Sequence, residues 1–168
     1  MAFRLAKMTD LPEIMVMYQE LIKEMYRNGI EIWDEIYPCC CFEQDIQQKQ
    51  LYILHEKNVI VAAFTLCQNN AGENSVKWEN QSSTALYLDR LGVNVAYSGQ
   101  GIGGLMIKKA KEIAKDQGAD YLRLFVVDNN LPAINLYRKA GFSQAAGIFD
   151  EIIDEDLVLH EFGFELKL

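Results

Sequence analysis

Apolar and polar residues alternate along this chain with two periods, and each period predicts one type of element. Apolar residues recur every three or four positions from Leu11 to Met25, which predicts a helix that ends at Asn28-Gly29. The same period predicts a second helix that begins at Ile102 and stops at Gly118. Short apolar runs predict strands at residues 51–54, 59–66, 86–95, 121–127, 142–149 and 159–168.

The order of these elements predicts a single α/β domain that covers residues 1–168. Hairpins at both ends require antiparallel pairing, whereas the strand, glycine loop, helix and strand between residues 86 and 127 require one parallel crossover. Residues 31–50 predict one or two short helices, and residues 69–83 predict a polar, turn-like connection. We therefore expect a mixed, mostly antiparallel sheet flanked by helices.

A glycine-rich stretch carries the strongest signal for chemistry. The segment Gly99-Gln100-Gly101-Ile102-Gly103-Gly104 leads into the second predicted helix. The first turn of a helix has backbone N–H groups without partners and a partial positive charge, and glycine removes the side chains that would keep an anion away. The stretch therefore predicts a site that holds phosphate groups.

Three arrangements of glycine compete for this stretch. A Walker loop needs a lysine directly after its last glycine, and none follows Gly103 or Gly104. Gly99, Gly101 and Gly104 fit the GxGxxG pattern of dinucleotide-binding proteins. Gly101 and Gly103 fit the Q/R-x-x-G-x-G/A loop that binds acyl-coenzyme A, with Ser98 where Gln or Arg is usual. The spacing of the glycines leaves the last two interpretations open.

A segment further along the chain separates these two interpretations. Residues 130–142, NLPAINLYRKAGF, resemble the NxxAxxLYxxxGF segment of the GNAT superfamily of N-acetyltransferases, and Leu91-Gly92-Val93 resembles the central strand of that family. The resemblance covers residues 87–142, about a third of the chain. It implies the GNAT-like acyl-CoA N-acyltransferase fold. It also implies that an acetyl group moves from acetyl-CoA to a primary amine by direct attack in a ternary complex.

The resemblance further implies which residues bind acetyl-CoA and which one acts as an acid. The hydroxyl of Tyr137 would protonate the departing thiolate, and Asn130 would contact the coenzyme, although it is equally suited to cap a helix opened by Pro132. The expected coenzyme-binding set is Leu91, Gly92, Val93, Ser98, Gly99, Gln100, Gly101, Ile102, Gly103, Gly104 and Asn130.

The base that deprotonates the amine is less determined. Asp89 is our candidate because it lies in the central strand two residues before Leu91, although its neighbour Arg90 could hold it in a salt bridge. Glu79, His160 and water are the alternatives. The residues expected near the acceptor, from the segments that form its pocket in the family, are Tyr26, Trp33, Tyr37 and Trp78, although such aromatic residues are more often core residues.

Composition limits the partners. With 24 acidic and 16 basic residues the formal net charge is −8, which disfavours nucleic acid and favours a cationic amine as acceptor. Acidic residues at positions 150–156 predict either a solvated loop or a negative rim that attracts such an amine. No apolar run reaches the roughly 18 residues of a membrane span, and the N-terminal residues lack a secretion signal, so we expect a cytoplasmic protein.

No metal site is expected. The four cysteines, Cys39, Cys40, Cys41 and Cys67, lack CxxC spacing, and His55 and His160 are the two histidines. Two other functions stay open at this point: a module that holds acyl-CoA without turning it over, and a dinucleotide-binding protein. A homodimer is also left open.

Overall fold

The computed structural model describes residues 1–153, 155 and 157–168. The described residues form two compact units. The first consists of Met1–Leu66 and Asp89–Met106, and the second of Cys67–Leu88 and Ile107–Leu168. The prediction of a single domain over residues 1–168 stays a prediction. Of the acidic residues at positions 150–156, Asp154 and Asp156 lie outside the described residues.

Helices and strands occur in the order that the sequence predicts. The helices are α1 (Leu11–Arg27), α2 (Phe42–Gln47), α3 (Ile102–Asp116) and α4 (Leu131–Lys139). The strands are β1 (Ala2–Leu5), β2 (Leu51–Glu56), β3 (Val59–Cys67), β4 (Val76–Lys77), β5 (Ala85–Val93), β6 (Tyr121–Val127), β7 (Ser143–Gln144), β8 (Ala146–Gly147), β9 (Phe149–Ile152) and β10 (Val158–Lys167). Among the described residues, every helix is too short or too polar to cross a bilayer.

The first unit packs α1 and α2 on a sheet. Strand β1 pairs antiparallel with β2, β2 forms an antiparallel hairpin with β3, and the next strand in the sheet is β5. Helix α1 buries Ile14, Tyr18 and Ile22 from its predicted apolar stripe, together with Met17. The rings of Tyr18 and Phe42 lie with their centroids 4.5 Å apart, so one aromatic pair joins α1 to α2 in the core.

The second unit is built around β6. The N-terminal part of β5 pairs in parallel with β6 from Ala85 to Tyr87, and β10 pairs antiparallel with β6, β7 and β9. Strand β4 pairs antiparallel with β8. The core contains Trp78, whose ring lies 5.6 Å from that of Phe125 and under the guanidinium of Arg123 at 4.6 Å.

The predicted mixed, mostly antiparallel sheet flanked by helices is confirmed. Three local predictions differ from the structure. The strand predicted at residues 86–95 ends at Val93, because the side chain of Asn94 accepts from the N–H of Ala96 and starts a 3₁₀ turn. The strand predicted at residues 142–149 is divided, since Gly147 at φ +106° cannot continue an extended strand. The segment 69–83, predicted to be a polar, turn-like connection, also contributes a buried residue to the core, because Trp78 is only 6% exposed.

Candidate active site

The C-terminal half of β5 contains an unusual backbone conformation. Arg90 has φ +52°, in the left-handed region that a residue with a side chain rarely adopts. The hydroxyl of Tyr18 on α1 donates a hydrogen bond of 2.5 Å to the carbonyl oxygen of Arg90. The kink therefore lies at the point where the central strand reaches Leu91, the first residue of the predicted coenzyme-binding set.

The side chain of Arg90 is buried between two carboxylates. Its Nε and Nη2 donate to Asp45 on α2, each at 3.0 Å, and its Nη1 donates to Asp89 at 2.8 Å. The side chains of Arg90 and Asp45 are 9% and 7% exposed. Burial alone would lower the pKa of Arg90, but the negative charges of Asp89 and Asp45 outweigh this effect. The pKa is therefore raised above its ordinary value, and the guanidinium stays charged. The guanidinium also donates a hydrogen bond to the hydroxyl oxygen of Tyr37.

Asp89, the candidate base, lies in this cluster. One of its carboxylate oxygens accepts from the backbone N–H of Arg90 and the other from Nη1 of Arg90, both at 2.8 Å. Its side chain is 30% exposed. Because an ionised carboxylate offers about four acceptor positions, these two bonds leave capacity for a substrate N–H or a water. The salt bridge that the sequence allowed for is therefore present, and it orients the carboxylate.

Gly92 is required by close packing of α1 against the strand. A Cβ atom built there would lie 2.8 Å from Cε1 and Cζ of Tyr18, well inside normal contact distance. The side-chain side of Gly92 is therefore occupied by Tyr18. A side chain at this position would therefore collide with α1, which explains the glycine.

The glycine loop leaves open space before α3. Gly99 and Gly101 have φ +74° and +78°, so these two positions favour glycine for conformational reasons. A Cβ atom at Gly99, Gly101 or Gly104 would meet nothing within 4 Å. The first backbone hydrogen bond of the helix runs from the N–H of Leu105 to the carbonyl of Gly101, at 3.1 Å.

This geometry fits the phosphate groups of a coenzyme. The N–H groups that open an α-helix have no partner within it, and they carry the positive end of the helix dipole. Open space at Gly101 and Gly104 gives an anion access to them. The amide of Gln100 donates to the carbonyl of Ala96 at 3.3 Å, so this side chain folds back onto the loop.

Asn130 and Tyr137 belong to the second unit, at the two ends of α4. The amide oxygen of Asn130 accepts from the N–H of Ala133 at 3.4 Å, as expected for a helix cap before Pro132. Tyr137 is 8% exposed, and its ring lies edge-on to Phe142 at 5.9 Å. The motif that suggested a catalytic tyrosine therefore also supplies a packing contact of the second unit.

The two alternative bases have other partners. The carboxylate of Glu79 accepts from the hydroxyl of Tyr121 at 3.2 Å. His160 lies 2.6 Å from Asp150 across the β9–β10 hairpin, and this hydrogen bond raises the pKa of the imidazole. A raised pKa keeps more of the imidazole protonated near neutral pH, so His160 is less available as a base.

The aromatic residues expected around the acceptor divide into two groups. Trp33 packs against Tyr18 in the first unit with centroids 5.7 Å apart, whereas Tyr26 is exposed near the end of α1. Trp78 is a core residue of the second unit, and its indole N–H donates to the carbonyl of Glu73 at 2.8 Å. It is therefore anchored by its core contacts.

The cysteines form no metal site within the described residues, where no group of three or more suitable side chains converges. Cys39 is buried, and the sulfur atoms of Cys40 and Cys41 lie 3.7 Å apart. Burial raises the pKa of the Cys41 thiol to about 11. This favours the neutral thiol at physiological pH.

Comparison with known proteins identifies the class of protein. Residues 15–142 match the model of the acetyltransferase (GNAT) family. This match spans more than half of the chain, so the chain belongs to the acetyltransferase (GNAT) family. Members of this family are acyltransferases.

Both a sequence match and structural matches agree with this family. The chain is 46% identical over 56 residues to thialysine N-epsilon-acetyltransferase of Bos taurus, a match that covers 33% of each protein. A GNAT-family acetyltransferase structure from Streptococcus agalactiae matches with a TM-score of 0.82 at 14% identity, covering 99% of this chain and 95% of that one. A Salmonella typhimurium structure solved with its cofactor acetyl-CoA matches with a TM-score of 0.68 at 15% identity, covering 99% and 93%. The structural matches establish the fold.

Proposed function

We propose that the protein transfers the acetyl group of acetyl-CoA to a primary amine by direct attack in a ternary complex. The observation that carries this proposal is the sequence of features along one stretch of chain: a kinked strand end at Arg90, followed by a glycine loop that opens onto the first turn of α3. Such a stretch can hold a thioester near the strand and its phosphates at the helix. A lone nucleotide site would need only the second feature.

Acetyl-CoA is proposed to bind through backbone groups. The N–H groups from Ser98 to Gly104 would take the pyrophosphate, and those of Leu91, Gly92 and Val93 would pair with the amide groups of the pantetheine arm. The described parallel pairing of β5 with β6 ends at Tyr87, which is consistent with another partner for the later residues of β5. A backbone N–H in this segment could also stabilise the negative charge that develops on the thioester oxygen.

The amine must lose a proton before it attacks. A lysine-like amine has a pKa of about 10.4, so deprotonation near neutral pH costs roughly 4.6 kcal/mol at about 1.36 kcal/mol per pKa unit. Asp89 is proposed to accept this proton, directly or through a water. Its fixed orientation on Arg90 supports this role. The net charge of −8 favours the approach of a cationic amine.

The attack forms a C–N bond at the acetyl carbonyl and breaks its C–S bond, and the leaving thiolate then needs a proton. Tyr137 is proposed to supply this proton. The ordinary pKa values of a phenol, about 10, and a thiol, about 8.5, allow this transfer only if the two groups are held together. The family tyrosine position, matched by Tyr137, supports this assignment.

A thiol-release assay with a panel of amines tests the proposal. The panel contains thialysine, because the relative of that name acts on it, together with lysine, a diamine and a peptide N-terminus. We expect saturable acetyl-CoA binding by calorimetry and amine-dependent thiol release with at least one member. Saturable binding without release for any amine indicates an acyl-CoA-binding module. Binding of NAD without binding of coenzyme A indicates a dinucleotide-binding protein.

A further inference from the structure

The left-handed conformation of Arg90 needs an explanation, because it costs free energy and lies inside the central strand β5. A non-glycine residue at φ +52° is strained unless surrounding contacts determine its conformation. Glycine at this position would adopt the same backbone without that strain. The chain nevertheless has arginine here, so the side chain or its contacts have a role that glycine could not perform.

The contacts of the guanidinium point to that role. Asp45 takes two of its donor groups in a bidentate arrangement, and the same carboxylate accepts from the buried hydroxyl of Thr65 on β3 at 3.0 Å. The remaining face of the guanidinium reaches Asp89. Bidentate arginine–carboxylate pairs are geometrically restrictive, so Asp45 fixes which donor is left for Asp89.

Two further contacts constrain the same backbone. Tyr18 donates to the carbonyl of Arg90, and its ring fills the space beside Gly92. The backbone N–H of Asn94 donates to the carbonyl of Val61 on β3 at 2.9 Å. The backbone is therefore held at Arg90 by the hydroxyl of Tyr18 and at Asn94 by β3, whereas Asp45 holds the guanidinium of Arg90.

We propose that Asp45 is a positioning residue, which acts through Arg90 to hold the kink of β5 and the carboxylate of Asp89 in the geometry needed for acetyl transfer. This inference rests on the proposed function. Asp45 touches neither the coenzyme set nor the reacting atoms; it fixes the arginine whose backbone directs the next N–H groups. Loss of Asp45 would therefore change the rate of the chemical step more than the affinity for acetyl-CoA.

The kinetic test compares Asp45→Asn with Asp10→Asn. Asp10 is a matched control, because it also forms a bidentate pair with an arginine, Arg4, at 2.7 and 2.9 Å. Neither residue of this pair belongs to the proposed site. We expect kcat of Asp45→Asn to fall on the order of 10²-fold, with KM for acetyl-CoA changed less than about threefold. Asp10→Asn is expected to keep its kcat. Equal kcat values for the two variants would overturn the proposal.

A second pair of variants tests the backbone argument and does not depend on Asp45→Asn being well folded. Arg90→Ala and Arg90→Gly both delete the guanidinium, but only glycine adopts φ +52° without strain. If the pairing of Arg90 with Asp45 holds the kink, Arg90→Gly should retain a higher kcat than Arg90→Ala. Circular dichroism confirms that both variants are folded. An Arg90→Gly variant no more active than Arg90→Ala contradicts this role.

Infrared spectroscopy separates failure of this inference from failure of the proposed function. With acetyl-CoA carrying ¹³C in its carbonyl group and no amine present, the bound thioester of the wild type should show a lowered stretching frequency, which reports an N–H aimed at its oxygen. Asp45→Asn should lose this shift while still binding. If the wild type shows the shift, Asp45→Asn loses it and no amine is acetylated, the proposed function fails but Asp45 still positions the N–H group. If both proteins show the same shift, the positioning role fails.

Discussion

Replacement of Gly101 by alanine tests the phosphate site, and the same replacement of Gly118, beyond the other end of α3, is its control. Gly101 precedes α3 at φ +78°, and Gly118 follows α3 at φ +79°. A Cβ atom at either position meets nothing within 4 Å. The two substitutions therefore impose the same backbone strain and no clash within the protein, and only the first places a methyl group over the N-terminus of the helix.

The expected effect on stability can be derived from this strain. A left-handed conformation costs a residue with a Cβ atom about 1–2 kcal/mol. For a protein of this length, about 1 kcal/mol shifts Tm by roughly 2–4 °C, so Gly101→Ala and Gly118→Ala should each lose about 2–8 °C. Both proteins should remain folded at 25 °C. Differential scanning calorimetry of the two variants without coenzyme measures this.

Affinity for acetyl-CoA should then distinguish the two variants. We expect Gly101→Ala to bind at least about tenfold more weakly than the wild type, equivalent to about 1.4 kcal/mol, because the methyl group keeps a phosphate from the N–H groups. Gly118→Ala should bind like the wild type in the same titration. Unchanged affinity of Gly101→Ala would show that the phosphates bind elsewhere, and unequal losses of Tm would show that the strain argument is wrong.

Three more changes have definite expected outcomes. Tyr137→Phe should lower kcat by about 100-fold to 10,000-fold with little change in coenzyme affinity, as measured by steady-state kinetics; a variant within twofold of the wild type would leave only a packing role. Gly92→Ala should destabilise the protein by about 1–3 kcal/mol in urea unfolding, because its Cβ overlaps the Tyr18 ring at 2.8 Å, and an unaffected midpoint would contradict that packing. Asp150→Asn should return the raised pKa of His160 towards its ordinary value of about 6.5 in an NMR titration. In the wild type, the His160–Asp150 hydrogen bond stabilises the fold below about pH 6.5, and this contribution is lost as the pH rises through the raised pKa. If the stability of Asp150→Asn depends on pH as that of the wild type does, this hydrogen bond does not link stability to pH.

Local patterns were sufficient to predict much of the fold. The apolar stripe of α1, the glycine stop after α3 and the run of residues that forms β6 each depend on neighbours within a few positions. The end of β5 was predicted two residues too late because Asn94 is compatible with a strand until its side chain binds the N–H of Ala96. A core position for Trp78 was one of the two alternatives, but its partner Phe125, 47 positions further along the chain, was not predicted.

In the candidate site, too, the sequence predicted local features but not contacts between distant residues. Glycine spacing identified the loop before α3, because the conformations of Gly99 and Gly101 are local properties. The sequence also placed Arg90 beside Asp89 as a salt-bridge partner, but it gave no sign of the bidentate pair with Asp45, which lies 45 positions earlier on a short helix. The nearest hint is an arginine that follows Asp89 inside a largely apolar strand, where a buried charge needs a buried counter-charge. That requirement predicts that a partner exists but not which acid it is, because only the folded chain brings α2 against β5.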